Sequence, residues 1–188
     1  MKRRTLVALA SLAAIAAPAF AADTIKIAVI SDRAAVVKVP TASIEESMQA
    51  FVDFCNGFGG INGRKLELTK IDSKLFSHLE ATKEACNAGV FAIVGSGSVT
   101  DNTGAQAMVD CGLIEVPAYT ATATKAMSDN LVQPLPNPSN EFNASVARYF
   151  AKQNPKAIKK AAILASNIET ATVQADRIKE AYEKAGFT

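Results

Sequence analysis

The stretch IKIAVI, Ile25–Ile30, decides the fold class: it is an apolar run of strand length, broken only by Lys26, and it reads as a strand buried on both faces. Such a strand belongs in a parallel sheet with helices on either side. The residues downstream supply the first helix. Ser43-Ile44-Glu45-Glu46 has capping-box spacing, Ile44, Met48, Phe51, Val52 and Cys55 recur at helical intervals, and Asn56-Gly57 ends the pattern. Gly59-Gly60-Ile61-Asn62-Gly63 is turn chemistry, because Asn-Gly accepts positive φ, and Lys65–Ile71 then alternates like a strand. The cycle repeats with a helix over about 75–87, the apolar run Val90–Val94, the small-residue loop Gly95-Ser96-Gly97-Ser98, a helix over about 101–111 and a strand over Leu113–Tyr119. This β-α-β-α-β-α-β alternation predicts a doubly wound, mostly parallel α/β sheet.

Beyond Tyr119 the pattern loosens, and Pro134, Pro136 and Pro138 mark a candidate hinge. A fresh cycle follows, with a helix over about Ser139–Gln153 carrying Phe142, Val146, Tyr149 and Phe150 on one face, a strand over Ala161–Ala165 and a helix over Thr170–Ala185. One β-α unit has no sheet of its own to join. The expected organisation is therefore an export signal over 1–21, a first α/β lobe and hinge approach over 22–136, and the start of a second, incomplete α/β lobe over 137–188.

The export signal rests on Lys2-Arg3-Arg4, the apolar run Leu6–Ala17 and the Ala-x-Ala pattern closing at Ala21. That run is shorter than the ~20 residues a membrane span needs, so direct membrane insertion is not expected. The 188 residues carry 20 basic and 18 acidic side chains, and without Lys2, Arg3 and Arg4 the formal +2 becomes slightly negative. Neither nucleic acid nor an anionic membrane is an expected partner. A hydrophobic fraction of 49% with 20% charged residues excludes a disordered chain.

In an oxidising periplasm, three cysteines allow at most one internal bridge. Cys55 lies on the apolar face of the first helix and is expected to be free and buried. Cys86 and Cys111 each close a predicted helix with one strand between, so a Cys86–Cys111 bridge is expected; the other reading is two buried thiols.

Ligands of open α/β sheets bind beyond the carboxyl ends of the strands. There the Gly95–Ser98 loop either turns its N–H groups toward an anion or is an ordinary tight connection. The neighbouring Thr120-Ala121-Thr122-Ala123-Thr124 either offers hydroxyls to a carboxylate or ammonium or is a polar surface loop; the adjacency of the two favours binding. Asp32 and Arg33 could touch a ligand or pair with each other in solvent. Catalysis has little support: Thr100 stands where a dinucleotide fingerprint needs its third glycine, and the Ser77-His78 pair lacks a nucleophile elbow and reads as an exposed polar histidine. No catalytic residue, metal or cofactor is called for.

Phe58-Gly-Gly-Ile-Asn-Gly-Arg-Lys-Leu-Glu-Leu68, Phe91-Ala-Ile-Val-Gly95 and Val116-Pro-Ala-Tyr-Thr120 together resemble the type I periplasmic binding proteins, in particular the Leu/Ile/Val-binding subunits of ABC importers. The resemblance implies two lobes enclosing a ligand, no enzyme activity, and delivery of a branched-chain amino acid or similar small amphiphilic metabolite to a membrane permease. It implies that Ser98 receives the ligand carboxylate, with Thr120, Thr122, Ala123 and Thr124 holding carboxylate and ammonium. The Ser31–Lys38 loop lacks the family's usual turn, and Ser166–Thr172 lacks the aromatic that often closes over the ligand. A ligand-sensing module for a signalling receptor is the alternative, and a secreted α/β enzyme a more distant one.

Overall fold

The computed structural model describes residues 23–33, 41–135 and 141–188. The export signal, residues 34–38 of the first loop, Pro136, Pro138 and the expected helix start at Ser139 lie outside the described residues. Four strands form one parallel sheet in the order β2-β1-β3-β4, with β1 Ile25–Ser31, β2 Leu66–Asp72, β3 Ala92–Val94 and β4 Ile114–Val116. β1 pairs with β2 from Ile25↔Leu66 to Ser31↔Asp72 and with β3 at Ile27↔Ala92 and Ala28↔Ile93. Its central position explains its composition, for Ala28, Val29 and Ile30 are wholly buried.

The twofold period of β1 sends alternate residues to two cores. Ala28 and Ile30 pack with Ile71, Ala81, Ala85, Ile93 and Met108, under helices α2 (His78–Asn87) and α3 (Ala105–Asp110). Ile27 packs on the other face with Val52 and Leu66, beneath α1 (Ala42–Gly57). After α1 the chain reverses through the glycine-rich turn, where Gly60 is at φ 81° and a Cβ would lie 2.0 Å from the Arg64 carbonyl oxygen. Asn62 (φ 51°) and Gly63 (φ 79°) make the tip, and Ile61 and Arg64 exchange backbone hydrogen bonds across it. The Asn56 side chain then brackets Leu66, accepting from its N–H at 2.8 Å and donating to its carbonyl at 2.9 Å, so the helix end fixes where β2 begins.

The third expected helix is split into a 3-10 turn, Asp101–Gly104, and α3. Beyond the sheet lie a short helix α4 (Ala123–Ala126), α5 (Ser145–Gln153) and α6 (Glu169–Lys184). No strand forms over Ala161–Ala165: Ala161 N–H donates to the Thr188 carbonyl, and Leu164 is fully exposed. Val146, Tyr149 and Phe150, which share one face of α5, are about half exposed or more, and Ala147 is the buried residue of that helix. No described helix is long and apolar enough to cross a membrane.

Cys86 and Cys111 form a disulfide between the ends of α2 and α3, with Cα atoms 6.0 Å apart. Cys55 is free, as expected, but only half-buried, packed at the margin of the Ile27, Val52 and Leu66 cluster. His78 reverses its expectation: it is 1% exposed, at the start of α2. Gly104 makes this burial possible, since a Cβ there would lie 2.3 Å from Thr82 Oγ1 and 2.7 Å from His78 Cδ2. Neither ring nitrogen has a hydrogen-bond partner among the described residues. Burial first, and then the Lys125 charge, push the imidazole from 6.5 down to about 4, with Glu115 opposing.

Two outcomes follow for stability. Thiol titration of the denatured, unreduced chain should find one reactive thiol, Cys55, and Cys86→Ser should cost ~3 kcal/mol on the chain-entropy account; three thiols without reductant would contradict the bridge. Between pH 6.5 and 4 the unfolded chain binds a proton at His78 that the folded chain refuses, so its contribution is complete above 6.5 and lost on acidification toward 4, ~3 kcal/mol in all. Urea midpoints measured across that window should fall for the parent and fall less for His78→Leu; equal slopes would exclude the buried neutral imidazole.

Candidate functional site

The strand order reverses between β1 and β3, with β2 to one side and β4 to the other, and open α/β sheets leave a crevice beyond the carboxyl ends of the strands at such a switch point. Asp32 follows β1 there and is 1% exposed. Its Oδ1 accepts from Ser73 Oγ (2.6 Å), Leu75 N–H (3.0 Å) and Ser98 Oγ (3.1 Å), and its Oδ2 accepts from Val99 N–H (2.9 Å). One carboxylate thus ties together the loops after β1, β2 and β3. Asp32 does not pair with Arg33: the Arg33 guanidinium reaches Glu45 at 2.9 Å, and Ser31 Oγ donates to the same Glu45 carboxylate.

The Gly95–Ser98 loop spends its N–H groups on the fold rather than turning them outward together. Gly95 N–H donates to the Val116 carbonyl and Gly97 N–H to that of Ile30. Gly97 admits the Tyr119 ring, since a Cβ there would lie 2.4 Å from Tyr119 Cε1. Beneath it, Ser96 Oγ donates to Glu115, which forms a buried ion pair with Lys125. Lys125 belongs to α4, so this pair anchors the Thr120–Thr124 segment to β4.

Asp101 organises that segment from the other side. Its carboxylate accepts from Ala121 N–H (2.6 Å) and Thr122 Oγ1 (2.9 Å), and burial raises its pKa against the pull of those bonds and of Lys125. Thr122 Oγ1 also caps α4, accepting from Lys125 N–H. Of the residues singled out from the sequence, Ser98 and Thr122 are buried and engaged with Asp32 and Asp101, Thr120 is buried with its hydroxyl 3.4 Å from the Gln133 amide, and Ala123 and Thr124 are exposed on α4.

A cleft of about 520 Å³ opens beside these loops. Val99, Tyr119, Thr120 and Ala121 line one wall. The other wall comes from the approach to α6 and its first turns: Ser166, Ile168, Thr170, Ala171, Gln174 and Arg177. Asn102 Nδ2 donates to Glu169 Oε2 at 2.6 Å and joins the two sides. Burial, and next the charges of Asp32 and Asp101, push Tyr119 up to about 12, so its phenol is a neutral hydrogen-bonding group. Such a lining, apolar with a few hydroxyls, one amide and one guanidinium, suits a small amphiphilic molecule. Sequence reasoning missed Tyr119, Asp101 and Arg177, for nothing in their spacing marks them; only the fold brings them to one place.

A substrate-binding protein of an ABC transporter from Desulfitobacterium hafniense, solved with Leu, superimposes with a TM-score of 0.63 at 21% identity, covering 89% of this chain and 49% of that one. The branched-chain amino acid transporter substrate-binding protein LivJ of Streptococcus pneumoniae, solved with isoleucine, gives 0.70 at 18% identity, covering 85% and 47%. A solute-binding protein of an ABC transporter from Rhodopseudomonas palustris, solved with 3,4-dihydroxybenzoic acid, gives 0.60 at 19%, covering 87% and 45%. The chain thus spans about half the length of these structures, with which it shares the fold. No curated protein matches it significantly. The family model described as periplasmic binding protein matches residues 24–188, and the chain belongs to that family of non-catalytic binding proteins.

Proposed function

We propose that the chain is an extracytoplasmic solute receptor of an ABC importer, exported by its N-terminal segment, which captures a branched-chain amino acid or similar small amphiphilic metabolite and delivers it to a membrane permease. In this reading residues 22–136 form a first lobe, 137–188 begin a second, and the ligand lies between them. The observation that carries it is the cleft at the switch-point edge of the sheet, lined from both sides and of a size for a small metabolite. Thr120 is the singled-out residue on the cleft wall, with Ser98 and Thr122 behind it and Ala123 and Thr124 continuing the same loop. Ligand binding favours the closed arrangement because only there do both walls touch the ligand.

The test is a thermal-shift and calorimetric screen of the chain against branched-chain amino acids, short amides and small carboxylates. At about a hundredfold excess over Kd a true ligand adds ~2.7 kcal/mol of stability, and one of these classes should raise the midpoint in a saturable way. Silence across all three classes would overturn the receptor reading.

A further inference from the structure

This inference rests on the receptor reading and concerns what holds the Thr120–Thr124 loop in place beside the cleft. Thr120 and Ala121 line the wall, and Asp101 clasps the loop at Ala121 and Thr122. From there the chain enters α4, a single turn of four residues, too short to persist by its own hydrogen bonds. It does not dock through an apolar face. Ala123 and Thr124 are exposed, Met127 just beyond is 76% exposed, and the buried residue of the turn is Lys125.

The Lys125 side chain runs inward past Met108, with Nζ 3.7 Å from its Sδ, and donates to Glu115 Oε2. Both partners of this ion pair are almost wholly buried, at 1% and 2% exposure, and neither lines the cleft. Glu115 is itself immobile. It lies in β4, its N–H donates to the Asn130 carbonyl at 2.9 Å, and its own carbonyl accepts from Val132 N–H at 2.8 Å. Its second carboxylate oxygen accepts from Ser96 Oγ, in the loop that leads to Val99 on the cleft wall. One fixed carboxylate therefore holds the loops after β3 and β4 at once.

As a source of stability the pair is a poor choice. Withdrawing an ammonium and a carboxylate from water costs about as much as their attraction restores, and well-packed neutral side chains of similar volume often hold a fold equally well or better. What an ion pair adds is a defined position. An apolar side chain can settle at several places on an apolar surface, whereas a buried ammonium must meet its carboxylate, as a single buried polar residue fixes register in a coiled coil.

We propose that Lys125 and Glu115 are positioning residues for ligand binding, fixing α4 and the Gly95–Ser98 loop so that Val99, Thr120 and Ala121 present the wall of the cleft in one shape. The pair acts through these loops and touches no ligand itself.

The experiment compares the 188-residue chain with the double variant Glu115→Gln/Lys125→Met, in which the amide keeps an acceptor for Ser96 and the thioether keeps the apolar stem beside Met108. Calorimetric titrations with leucine, isoleucine and valine are set against the urea midpoint of each ligand-free protein. The double variant unfolds at the parent's midpoint or above it. It nevertheless binds about 3- to 30-fold more weakly, the range for residues that act without meeting the ligand. Glu180→Gln/Lys184→Met, which removes an exposed ion pair of α6, changes neither quantity. Unaltered affinity in the double variant, or weaker binding that comes only with a lowered midpoint, overturns the assignment and leaves the receptor reading standing. If the double variant does not fold, Ser96→Ala decides, since it retains the ion pair and cuts its tie to the β3 loop: weaker binding by the folded variant supports the assignment, and unaltered affinity overturns it. A parent chain that binds none of the three amino acids removes both readings.

Discussion

The Asp32 carboxylate is the point on which the edge of the sheet at the carboxyl ends of its strands depends. A carboxylate withdrawn from water is costly unless donors replace its hydration, and here four donors do so, from the loops that follow β2 and β3. The arrangement also holds an unfavourable backbone in place. Lys74 and Leu75 both adopt left-handed φ angles, 50° and 72°, each at a cost on the order of 1 kcal/mol or more for a side chain of that size. Leu75 N–H donates to Asp32, and Lys74 N–H donates to Asp72 at the end of β2. The turn keeps its shape because these two carboxylates need its N–H groups. Three loops that could move separately therefore behave as one body, and Val99 on the cleft wall is part of it.

Most of the sheet layer was legible in the sequence because its elements obey local rules. IKIAVI is continuous because both faces of β1 are covered, the α1 face repeats at helical spacing because one side meets the sheet, and Asn62-Gly63 turns because its φ angles are positive. The failures have a common origin in groups whose environment is set by distant residues. His78 looks polar and surface-bound until Gly104, far along the chain, is seen to close over it. Glu115 lies in a short strand whose pattern says nothing of a partner, and Lys125 is delivered to it by α4, with both buried. Ser98 and Thr122 stand out in the sequence as polar groups of two neighbouring loops, yet their engagement by Asp32 and Asp101 is visible only in the fold.

The C-terminal segment illustrates the opposite limit, where local rules are satisfied and packing is not. α5 and α6 form, and Tyr182 stacks near Phe187 with ring centroids 4.7 Å apart, but Val146, Tyr149 and Leu164 are exposed. Helices of this kind take most of their stability in proteins from an apolar face pressed against another layer. In α5 the amphipathic pattern marks the helix, while among the described residues Ala147 is its buried position.

The contact between Gly97 and the Tyr119 ring has a consequence for how the width of the cleft is set. Tyr119 stands on the cleft wall only as deep as residue 97 allows, and the absence of a side chain there lets the ring lie back against the strand-end loop. An alanine at 97 would have to push the ring forward and narrow the cleft without itself joining the wall. The calibre of the cleft is therefore under the control of a residue behind its wall, where a single methyl group can alter the width while every group that lines the space stays the same.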